Sequence, residues 1–132
     1  MGAWLLENTM IPEAVVSSPA LRAWQTSTQV CHMLGIDESE IFFDSHVYMA
    51  NLEDLLEVIS GLPAQAESVM IVGHNPGLEE LLVFLAGDSI SMPADNKLLP
   101  TAALARLELQ DGWQAPAAGS AKLVTLVRVK EI

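Results

Sequence analysis

The chain has one cysteine, Cys31, and few positive charges: six Lys and Arg stand against 17 Asp and Glu, a net charge of −11 over 132 residues. A single thiol excludes an internal disulfide, and with only His32 beside it no zinc-ligand spacing exists. No metal and no cofactor is expected. The acidic balance repels polyanions, so nucleic acid is not an expected partner, and a phosphate-bearing ligand needs a local group of positive side chains and N–H donors. Long apolar runs are also lacking. The stretch from Leu81 to Ala86 is far too short for a bilayer, and the N-terminal residues carry no basic segment, so no membrane or export role is expected and the location is read as cytoplasmic. What is present is 51% hydrophobic and 17% charged residues, the composition of a single globular domain spanning residues 1–132.

Apolar patterning and turn residues divide the chain into alternating strands and helices. Trp4, Leu5 and Leu6 read as part of a short helix with no capping residue ahead of it. Ala14 to Ser17 reads as a buried strand of the parallel type. Ser18 is then the expected N-cap, and Pro19 the expected first-turn residue, of a helix ending at Leu34 before Gly35. Its stripe of Leu21, Trp24, Thr28, Cys31 and Leu34 is expected to face the core. Ile41 to Phe43 is a second strand, and Asn51 with Asp54 opens a helix that stops at Gly61. Val69 to Val72 is apolar throughout and leads through Gly73-His74-Asn75-Pro76-Gly77 into a helix from Leu78 to Ala86, closed by Gly87. Gly87 to Pro100 reads as a loop, and Ala103 to Leu109 and Leu123 to Val129 as two last strands. The expected fold class is α/β: a three-layer α/β/α sandwich with a mostly parallel sheet and antiparallel pairing at a C-terminal edge.

Two units share one design, a short apolar strand running into a polar turn that opens a helix. The turns are Ser17-Ser18-Pro19 and His74-Asn75-Pro76. Carboxyl ends of parallel strands form the ligand crevice of an open α/β sheet, and helix N-termini there present free N–H groups to an anion. Arg22, the only Lys or Arg before Lys97, lies one turn into the first helix, and His74 ends the second strand. Together they suit a phosphate. Alone, Arg22 reads equally well as a surface ion-pair partner, and the glycine-flanked turn around His74 as structural. His32 and His46 have no such setting and are read as structural or solvent-facing.

The segment Ser17-Ser18-Pro19-Ala20-Leu21-Arg22-Ala23-Trp24-Gln25-Thr26 resembles the second phosphate-pocket motif of the histidine phosphatase superfamily, and Val72-Gly73-His74-Asn75-Pro76-Gly77 resembles its third. Val47-Tyr48-Met49-Ala50 and Leu99-Pro100-Thr101-Ala102-Ala103-Leu104 are similar to the SixA-type phosphohistidine phosphatases rather than to the phosphoglycerate mutases. The likeness covers nearly the whole chain and implies a phosphoglycerate mutase-like fold. It also implies hydrolysis through a covalent phosphohistidine, with Arg22 clamping the phosphoryl group and His74 stabilising its charge. Ser18, Asn75 and Thr101 are implied as further phosphate contacts. The implied partner is a phosphorylated protein, carrying phosphohistidine, or a small phosphomonoester. The family's first motif, an Arg-His pair ending the first strand, has no counterpart among these residues. That strand and its nucleophile are expected upstream of Met1, and the covalent step is expected to be lost in these residues alone. The competing expectation is a non-catalytic module that binds a phospho-ligand or a protein.

Overall fold

The computed structural model describes residues 1–87, 90, 98–100, 102–110 and 112–128. In chain order the elements are α1 (Gly2–Glu7), β1 (Ala14–Ser17), α2 (Leu21–Leu34), β2 (Ile41–Phe43), α3 (Leu52–Ser60), β3 (Val69–Val72), α4 (Gly77–Ala86), β4 (Ala103–Leu109) and β5 (Ala121–Arg128), with single 3₁₀ turns at Glu38–Glu40 and Ser45–Val47. The strand and helix alternation read from the sequence is therefore the observed one. The chain forms two compact units, one of residues 1–50 and 65–74, the other of residues 51–64 and 75–132.

The first unit is a three-stranded parallel sheet in the order β2-β1-β3, with β1 in the centre. Alternation along β1 sends Val15 to one face, where it packs with Cys31 of α2 and Ile41 of β2, joined by Ile36, Phe43 and Met70. Burial and the charge of Glu40 raise the Cys31 thiol above its ordinary pKa, so the residue behaves as a small apolar core side chain. The central and outer strands differ in burial: Val15, Val16 and Ser17 are buried, whereas all four residues of β3 are half-buried. The apolar run of β3 thus marks a strand at one side of this sheet, not a fully enclosed one.

The stripe expected to bury α2 holds at Cys31 and Leu34 and is corrected at Leu21 and Trp24. Ala23, Ser27, Val30, Cys31 and Leu34 are buried, while Leu21 and Trp24 are 67% and 39% exposed and Trp24 instead donates its indole N–H to Glu38. The buried face carries the small Ala23 and Ser27 in its N-terminal half and the larger Val30 and Leu34 beside Cys31 in its C-terminal half. Gly2 lets α1 approach α2 closely, because a Cβ there would stand 2.8 Å from Met33 Cβ.

In the second unit β4 and β5 pair antiparallel in a two-stranded sheet of their own, with a register shift at Arg106/Leu107. Pairing of Ala121 with Leu109 starts β5 two residues ahead of the expected Leu123, and Val129 lies outside the described residues. Leu82, Ala86 and Leu98 form the core here, against Ala105, Leu107 and Leu123. Gly87 and Gly119 meet closely: a Cβ on Gly87 would stand 3.2 Å from Gly119 Cα, and both have positive φ, which glycine alone tolerates well.

α3 begins as expected. Asn51 accepts from the Asp54 N–H at 2.9 Å, and Asp54 accepts from the Asn51 N–H at 3.2 Å, a complete capping box. Among the described residues no helix is long and apolar enough to cross a membrane.

Candidate functional site

Register brings the two polar turns together. In the parallel pairing of β1 with β3, Ser17 is opposite Val72, and the Ser18 N–H extends the ladder by donating to the Val72 carbonyl at 2.9 Å. Both strands therefore end at the same level, and the side chains just beyond them meet: His74 Nε2 and Ser18 Oγ are hydrogen-bonded at 2.8 Å. Ser17 and Ser18 are fully buried, and His74 is half-buried.

Ser18 does not cap α2, contrary to the expectation from the sequence. Ala20 is the N-cap, extended at φ −60° and ψ 146°, and the helix starts at Leu21, so Pro19 precedes it. The Ser18 hydroxyl accepts instead from the Ala20 N–H at 3.2 Å and is taken up by His74. A hydroxyl has one hydrogen and two lone pairs. With Ala20 on one lone pair, Ser18 donates to His74 Nε2 where that nitrogen carries no hydrogen and accepts from it where the tautomer places the N–H there.

Arg22 stands in the first turn of α2. It is exposed and makes no hydrogen bond or ion pair among the described residues. No acidic residue lies in that turn and no side chain caps it. α4 differs from the expected anion-favouring start. Pro76 is its N-cap, the peptide before it is cis, and Glu79 and Glu80 occupy its first turn, where their charge already satisfies the helix dipole. Glu79 accepts from the Leu99 N–H at 3.0 Å. Asn75 belongs to the second unit, where its amide donates to the Leu99 carbonyl. Thr101 lies outside the described residues.

The sequence reading missed one neighbour of His74. The Tyr48 ring meets the imidazole edge to face, with centroids 5.7 Å apart and an interplanar angle of 89°. Only the family likeness of residues 47–50 hinted at it. His46, read like His32 as structural or solvent-facing, is exposed with Nδ1 2.8 Å from Asp44 Oδ1, and His32 is exposed in the last turn of α2. Among the described residues no three His, Cys, Asp or Glu side chains are grouped so as to hold a metal ion.

The fold matches those of solved phosphatases. The protein histidine phosphatase SixA complexed with tungstate superposes with a TM-score of 0.76 at 20% identity, over 96% of this chain and 75% of that one. The chain has the SixA fold. A protein assigned as phosphohistidine phosphatase SixA from Agrobacterium tumefaciens matches at TM-score 0.75 and 28% identity, over 96% of this chain and 78% of that one. A SixA assignment from Nakamurella multipartitia gives 0.71 at 23%, over 96% and 76%. Sequence relatives at 28% identity are uncharacterized proteins of Mycobacterium leprae, over 93% of this chain and 75% of the relative, and of Mycobacterium tuberculosis, over 93% and 77%. No family model matches the chain. SixA structures thus share the phosphoglycerate mutase-like α/β fold expected from the sequence.

Proposed function

We propose that this domain is a phosphatase of the phosphohistidine type, in which Arg22 and His74 hold the phosphoryl group of a phosphorylated protein or a small phosphomonoester. The observation that carries the reading is the Ser18–His74 hydrogen bond, which joins the two motif turns at the common end of β1 and β3. Arg22 supplies a planar fork of donors suited to phosphoryl oxygens. A cation in the first turn of a helix opposes the helix dipole, and an arriving anion relieves both that conflict and the open N–H groups of α2. His74 donates to the charge that develops on the transferring group. Ser18, whose oxygen is already engaged, acts through His74 by fixing its ring; Asn75 and Thr101 remain proposed as further contacts. The SixA protein solved with tungstate recommends tungstate as the oxyanion probe.

The covalent step needs a histidine nucleophile, and none of the three histidines follows an arginine. This favours a second reading for these 132 residues by themselves: a module that binds the phospho-ligand without turnover. Both are tested by incubating the protein with a histidine-phosphorylated protein and measuring released phosphate alongside binding. Release that disappears in Arg22→Ala and His74→Ala supports the phosphatase. Binding without release, abolished by the same substitutions, supports the module, and neither binding nor release rejects the site.

A further inference from the structure

Tyr48 has no role in the site as described so far, yet its surroundings are unusual for an exposed aromatic residue. Tyr48 is 55% exposed, and its neighbour Met49 is 74% exposed with φ at +52°, a left-handed conformation that a methionine seldom adopts. Core packing explains neither residue. Val47, just before them in the chain, is only 1% exposed and anchors the turn.

The segment is tied at each step. The Asp44 N–H donates to the Ser17 carbonyl at 2.9 Å, the Tyr48 N–H to Ser45 at 3.1 Å and the Ala50 N–H to Val47 at 3.4 Å. Asp44 in turn accepts from the His46 N–H at 2.9 Å. The path from Ser17 through Asp44 and Tyr48 reaches His74 by the ring contact and returns to Ser18 through the 2.8 Å hydrogen bond. The loop of contacts is closed, and the imidazole is held at two points. A hydrogen bond at Nε2 alone leaves the ring free to swing about that nitrogen; an edge-to-face aromatic contact has a preferred angle and removes that freedom.

We propose that Tyr48 is a positioning residue, whose ring fixes the His74 imidazole in the orientation in which it meets a bound oxyanion. The proposal rests on the reading of His74 as a phosphate ligand. Its energetic content is the side-chain freedom that His74 would otherwise lose on binding, which corresponds to about a three- to tenfold change in affinity. The phenol oxygen is not required, so phenylalanine should replace tyrosine.

The test is a tungstate titration of the 132-residue protein, followed by calorimetry and by the His74 imidazole C–H resonances, in the parent, Tyr48→Phe and Tyr48→Ala. The expected result has the His74 resonances displaced by an aromatic ring current in the parent and in Tyr48→Phe, and released in Tyr48→Ala. Tungstate should bind about three- to tenfold more weakly to Tyr48→Ala and within about twofold of the parent to Tyr48→Phe. Should the alanine variant fail to fold, Tyr48→Leu keeps apolar bulk without the ring and is expected to behave as alanine. Parent-like affinity and unmoved resonances in the alanine or leucine variant overturn the proposal while leaving the site intact. Equal tungstate affinity in His74→Gln and the parent, or no binding by the parent, overturns the site reading and the proposal with it.

Discussion

At the start of α3 the Asn51 and Asp54 side chains take up each other's backbone N–H groups, and Glu53 adds a second negative charge to the first turn. At the start of α2 no side chain caps the helix, no acid is present, and the charged residue in the first turn is Arg22. The two helices have the same backbone problem, unpaired N–H groups and a positive dipole end. α3 meets it with its own side chains. α2 leaves it open and adds a cation of the unfavourable sign, an arrangement that costs stability unless an anion is present. The difference separates a helix start closed by its own side chains from one left without a side-chain cap, and the same residue types read from sequence alone do not reveal which is which.

Four changes break or sharpen that contrast. Arg22→Ala should have the largest effect, weakening tungstate binding about ten- to hundredfold, since hydrogen bonds to charged groups contribute about 1.5–3 kcal/mol. Its thermal unfolding should stay unchanged or rise slightly, because a cation is removed from the positive end of α2; calorimetric titration and a melting curve read the two effects separately. Asn51→Ala should do the reverse, lowering unfolding free energy by about 1 kcal/mol in a denaturant titration while tungstate affinity holds.

Ala20→Asp gives α2 the cap it lacks. Ala20 already has the extended conformation of an N-cap, so the substitution should stabilise the protein by about 0.5–1 kcal/mol and weaken tungstate binding several-fold by charge repulsion. Equal or tighter binding in that variant would remove the electrostatic account of the α2 terminus.

The smallest effect is on acid stability. Burial raises the Asp44 carboxyl, but the His46 N–H, its imidazole and its charge outweigh this and hold it below the ordinary value. Asp37 is lowered by the Ser39 N–H. Both pKa values are depressed by folding, so their contribution is complete above the ordinary carboxylate range and is lost as pH falls through the folded values. Asp44→Asn should therefore flatten the acid limb of a stability–pH curve slightly, by lowering stability at neutral pH while leaving the most acid end, where the carboxyl is protonated in both states, nearly unchanged.

Local signals made most of the fold legible. Asn51 with Asp54, Gly35 after Leu34, and the apolar runs at Ala14–Ser17 and Val69–Val72 act within a few residues of themselves, and the structure has each element where those signals lie. Arg22 and His74 likewise stand in motifs that are contiguous in sequence. Less legible was what Ser18 does. Read locally, it is a helix cap. Its hydroxyl is drawn instead to a histidine 56 residues away, and nothing near Ser18 encodes that competitor. The phase of α2 was likewise misread at Leu21 and Trp24, because burial there depends on how closely α1 and the sheet approach.

The sequence by itself therefore determined the order of strands and helices, the net acidic charge and the residue types at the two polar turns, since propensity, capping and charge are properties of short segments. Only the tertiary structure decided that Ser17 lies opposite Val72, that Ser18 and Tyr48 both hold His74, and that α2 keeps an open N-terminus. The physical reason is that these depend on strand register and on competition among distant partners for one hydroxyl and one ring, which are fixed when the chain packs.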